Sequence, residues 1–283
     1  MTPSYLIFCL PGINRRLTWS MLQQGWLPLI PCRLPFSGPL YALSDTITRA
    51  CSTGHFNDAL RALTLGSQMA HEAAPLDLQL QWKTRLLRSA IYLEQRQVHS
   101  AAAELQRTLA WRNRCEAAHS FVQIHSQDWL TMASIALGRN DIESAEQYAA
   151  KAWNDVTANP LHHLSDILRD DRADVLTVLG AISFARRELT DAARFFSAAA
   201  DGHRQAADVE QLVIDLIYQS DVELFREGDS AARSRLLEAF ALCRDGMCPE
   251  RHPRQISLKR VIANRFEKHR LLQKHSSPRC GLN

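Results

Sequence analysis

"GHFNDAL", residues 54–60, sets a turn glycine two residues before an aromatic and five before an alanine. The same skeleton recurs as Arg96-x-Val98-x-x-Ala101, as Asn140-x-Ile142-x-x-Ala145 and as Arg187-x-Leu189-x-x-Ala192. The first position is a turn former or polar, the third is apolar and the sixth is always alanine. Successive alanines lie 42, 44 and 47 residues apart. A weaker fifth copy at Gly228-Asp229-Ser230-Ala231 slips by one residue.

The flanks repeat as well. Four and seven residues beyond the alanine stand Leu63 and Gly66, Leu105 and Thr108, Ala149 and Ala152, Phe196 and Ala199. Residues spaced by three and four share one helical face. Each copy therefore reads as two antiparallel helices joined by a tight turn, with the third position plugging the junction. One such pair cannot bury its apolar face alone, so the pairs are expected to stack. Asn140-Asp141-Ile142-Glu143 reads as a capping box, and Thr190 before Asp191 as an N-cap.

Composition agrees with helices. Aromatics are only 7% of the chain, and alanine runs recur at 101–103 and 198–200. Six of the eleven prolines fall in residues 1–40, and between Pro75 and Pro249 there is only Pro160. Proline breaks helix interiors, so residues 76–248 can be almost continuously helical and residues 1–40 cannot. Pro160 and the polar "TANP" mark a longer break between the third and fourth copies. The fold class expected is all-α.

At this point the chain resembles the tetratricopeptide (TPR) family. The fourth copy carries the motif best, with Leu176, Leu179-Gly180, Leu189, Ala192, Phe196 and Ala199. The third offers Trp129, Met132-Ala133, Ile142, Ala145 and Ala152; the second keeps Tyr92 and Ala101. The period exceeds the family's 34 residues, so the resemblance is to the long-helix, TPR-like sensor arms of LuxR/MalT-type bacterial regulators. It implies a right-handed superhelical stack of antiparallel helix pairs, an α-solenoid of four to five repeats with terminal caps. The organisation expected is a Pro-rich N-terminal segment or cap over 1–40, a repeat domain over 41–248 and a basic C-terminal helix and tail over 249–283. The family register also implies a partner-binding groove lined by Lys83, Leu86, Ala90 and Glu94, by Gln127, Leu130, Ser134 and Leu137, and by Asp174, Thr177, Ala181 and Phe184. It lacks the clustered cations of a carboxylate clamp, so an extended or helical protein segment is the expected ligand.

Charge is uneven. Residues 249–283 hold nine Lys/Arg and two Asp/Glu, a net of +7, against −4 for the rest, from 24 basic and 28 acidic residues. Within "QISLKRVIANRFEKHRLLQK", residues 255–274, Leu258, Val261, Ile262 and Phe266 share a helical face that Arg265 interrupts. Lys259, Arg260, Lys268, Arg270 and Lys274 are the candidate nucleic-acid contacts. No DNA-reading motif accompanies them.

Signals of chemistry are sparse. There is no G-x-x-x-x-G-K-[ST], G-x-G-x-x-G or G-x-S-x-G. His162-His163 with Asp166 gives a two-ligand pair without a third, so neither metal nor cofactor is expected. The seven cysteines form no C-x-x-C and read as reduced thiols. The start "MTPSYLIFCLPG" lacks a basic n-region, and no stretch of eighteen apolar residues occurs, so a cytoplasmic protein is expected. Arginine outnumbers lysine 28 to 5, which points to a GC-rich bacterial source. The expected function is a non-enzymatic scaffold or regulatory adaptor that binds a partner protein or peptide. The alternative is a transcriptional regulator that acts on DNA through its basic C-terminus or with a DNA-binding partner.

Overall fold

A computed structural model describes residues 46–47, 49–51, 54–73, 78–118, 122, 124–158, 166–246 and 255–276. The segments 1–40, 159–165, 247–254 and 277–283, with the expected N-terminal cap, the Pro160 break and His162-His163, lie outside the described residues. Every regular element among the described residues is helical, and none is a strand. The helices are α1 (Phe56–Ala73), α2 (Leu78–Glu94), α3 (Val98–Ala117), α4 (Ser126–Gly138), α5 (Ile142–Ala158), α6 (Asp166–Ala185), α7 (Leu189–Gln205), α8 (Val209–Arg226), α9 (Asp229–Ala241) and α10 (Gln255–Ser276). Residues 46–47 and 49–51 are also helical, and α9 runs into a π-helical turn at Leu242–Gly246.

The chain divides into two compact units, residues 1–171 and 172–283. The division falls inside the 41–248 span that the sequence organises as one domain.

The turns show what the recurring motif does. Arg96, Asn140 and Arg187 adopt left-handed backbone with φ of 62°, 60° and 66°, and Gly54 sits at 81°. In each case the next residue's N–H reaches a carbonyl five residues back. His55 N–H donates to Ala50 at 2.8 Å, and Gln97 to Tyr92, Asp141 to Ala136 and Glu188 to Ser183, each at 2.9 Å. This is the Schellman end of a helix, which satisfies otherwise orphaned carbonyls. The motif alanine then donates its own N–H to that same next residue's carbonyl and opens the following helix (Ala59 to His55, Ala101 to Gln97, Ala145 to Asp141, Ala192 to Glu188).

The alanines Ala59, Ala101, Ala145 and Ala192 are fully buried. So are Leu63, Thr108, Ala149, Ala152, Phe196 and Ala199 at the later motif positions. A methyl group there lets the second helix close on the first. The expected plug is weaker than the motif suggests. Val98 is buried, but Phe56, Ile142 and Leu189 are only half-buried.

Three local expectations change. Asn140 does not cap α5; it ends α4, and the Asp141 carboxylate accepts from Ser144 N–H at 3.1 Å. Thr190 lies inside α7, whose N-cap is Glu188. The fifth junction differs in kind: Gly228 has φ 94° and ψ −170°, a region open to glycine almost alone. A sixth turn, with Ala207 at φ 56° and Asp208 N–H on His203 carbonyl at 2.9 Å, joins α7 to α8 with no glycine or asparagine to announce it.

In unit 1, α2 pairs tightly with α3 and α4 with α5, and both α2 and α3 touch α4. Trp82, Leu86, Leu87 and Ile91 on α2 join Ile47, Ala59, Leu63 and Met132 in one apolar core. In unit 2, α8 packs against α7, α9, the π turn and α10. Gly180 brings α6 onto α7 so closely that a Cβ there would stand 2.8 Å from the Phe196 ring. That ring stacks flat on Tyr218, with centroids 4.9 Å apart.

Candidate functional site

The helices that should line an open groove are instead interior. On α4, Ser126–Leu137 is buried except for half-buried Trp129; on α8, residues 210–222 are buried without a break. Lys83, Leu86, Gln127, Leu130, Asp174, Thr177 and Phe184 are all buried, and Glu94 is half-buried. None of the eight is exposed. The structure does bring some of them together, as members of buried polar centres.

The first centre lies in unit 1. Lys83 Nζ donates to Asp128 Oδ1 at 2.6 Å and Oδ2 at 2.7 Å, and Trp82 Nε1 donates to Oδ2 at 3.2 Å. His125 N–H, just before α4, donates to the same Oδ2 at 3.1 Å. Asp128 thus caps its own helix while it neutralises a buried ammonium. Burial, then the Lys83 charge, holds the His125 imidazole below its ordinary pKa, against Asp128 and Asp155.

The second centre lies in unit 2. His203 on α7 is held between two carboxylates, with Nδ1 2.6 Å from Asp215 Oδ2 and Nε2 3.2 Å from Asp174 Oδ1. Thr177 donates its hydroxyl to Asp215 Oδ1 at 2.7 Å. Burial alone would lower the imidazole's pKa, but the hydrogen bonds and charges of Asp174 and Asp215 outweigh it and push it up to about 9. His203 is therefore an imidazolium at neutral pH, with both ring N–H groups donating. Burial raises Asp215, while His203 and Thr177 pull it down. All four side chains are at most 1% exposed, so the group holds helices together and offers no substrate a path to the imidazole.

The third centre fixes α10. Arg265 Nη2 lies 3.0 Å from Asp221 Oδ2 on α8, and His269 Nε2 lies 3.5 Å from Asp221 Oδ1. The arginine that interrupts the apolar stripe thus points inward. Among the candidate nucleic-acid contacts, Arg260 is exposed and Arg270 is exposed but paired with Glu267 at 3.0 Å. Lys259 is half-buried, close enough to Asp245 to assist Arg244 in holding that carboxyl below its ordinary pKa. The side chains of Lys268 and Lys274 lie outside the described residues.

Sequence reasoning missed Asp128, His203, Asp215 and Asp221. One of them left a signal of its own, Asp215 as a lone acid within "LVIDLIY", residues 212–218; for Asp221 the signal lay in its partner, the break in the α10 stripe at Arg265. Of the described cysteines, Cys51 and Cys243 are buried and Cys115 is half-buried; burial pushes the Cys243 thiol up to about 11, away from reactivity. Among the described residues there is no group of three or more His, Cys, Asp or Glu placed to hold a metal, and no helix long and apolar enough to cross a membrane.

Among the described residues, the large apolar side chains that face solvent are Leu65 on α1, Phe225 on α8, and Leu237 and Phe240 on α9. Phe225, 59% exposed, tilts against Phe184 with centroids 6.0 Å apart. No family model, no curated protein and no solved structure matches this chain.

Proposed function

We propose that the chain is a non-enzymatic interaction scaffold, a TPR-like right-handed stack of helix hairpins that binds a partner protein or peptide on its surface. It would serve as an adaptor or regulatory arm in the bacterial cytoplasm. The observation that carries the reading is the recurrent junction: a left-handed residue, a Schellman bond and a fully buried alanine at Gly54, Arg96, Asn140 and Arg187. A chain built from one hairpin unit used repeatedly gains extended surface, and surface is what such arrays employ. The internal polar centres support the same reading, since each is spent on joining helices.

Binding then falls to exposed apolar residues, not to the buried register positions. Phe225 is the clearest anchor, because aromatic side chains dominate interface energetics. Immobilised full-length protein and its Phe225→Asp variant are to be compared for capture from the native host. One protein retained by the parent and lost by the variant, with unchanged helical circular dichroism, is the expected result. Equal retention by both, or nothing retained beyond an inert helical control, would overturn the reading.

A further inference from the structure

We draw no further inference here: the strongest candidate, the stacked Trp129–Tyr148 rings where α4 meets α5 with the Lys151 ammonium 4.6 Å from the Trp129 ring centroid, is already filled by the chain's own lysine, and nothing in the structure shows what else would cover it.

Discussion

α4 in unit 1 and α8 in unit 2 are the same kind of element with different interiors. Each is enclosed along nearly its whole length, and each carries acid into the enclosure. On α4, Asp128 meets an ammonium, an indole N–H and a backbone N–H. On α8, Asp215 meets an imidazole shared with Asp174, and Asp221 meets a guanidinium and a second imidazole from α10. A helix that is polar at its centre yet wholly enclosed needs specific partners, because a buried charge is tolerated only when paired. The two units meet that demand with different chemistry, so they should fail under different insults.

The largest effect is expected from removing one side of the unit 1 pair. Asp128→Ala strands Lys83, which is 2% exposed, and should cost about 3–5 kcal/mol of unfolding free energy by denaturant titration. The apolar double change Lys83→Met with Asp128→Leu should recover most of that loss. A single variant as stable as the parent would show that the pair is not enclosed.

Unit 2 should respond to pH instead. A folded pKa of about 9 for His203, against an ordinary 6.5, means that its stabilisation is complete below about pH 6.5 and is lost as pH rises through 9. The loss is on the order of 3 kcal/mol. Melting temperature followed from pH 6 to 10 should fall for the parent, and the fall should shrink in His203→Gln. A profile unchanged by that substitution would remove the imidazolium from the account.

Close packing comes next. Gly180→Ala drives a methyl group into the Phe196 ring, which cannot retreat from Tyr218, at a cost of about 1–3 kcal/mol. The smallest effects belong to the turns and have opposite signs. Ala207→Gly relieves a left-handed alanine and should stabilise by up to about 1 kcal/mol. Gly54→Ala should destabilise by about 1 kcal/mol from backbone alone, since a Cβ there meets nothing within 4 Å. Thermal unfolding of both variants measures the pair, and effects of the same sign would contradict the left-handed geometry.

What could be read from the sequence was local. A junction alanine, the apolar residue four positions on and the small residue seven positions on all lie within a few turns of one another, and all are buried. The Ala207 turn escaped notice because alanine carries no turn signal. The buried centres escaped notice because their partners are far apart along the chain: Lys83 and Asp128 are separated by 45 residues, Thr177 and Asp215 by 38, Asp221 and His269 by 48. Charge complementarity over such spans leaves only a lone polar residue in an apolar stripe. The burial of the expected groove residues escaped notice for a related reason. Periodicity identifies a face of a helix, but only packing decides whether that face meets solvent or another helix.

The central claim is that one hairpin unit is used repeatedly. A crystal structure of the full-length chain tests it most directly, through the rotation and translation that carry α2–α3 onto α4–α5 and those that carry α6–α7 onto α8–α9. Closely matching right-handed operations, with left-handed backbone at Arg96, Asn140 and Arg187, are expected. Unrelated operations for the two superpositions would contradict the stacked-repeat account.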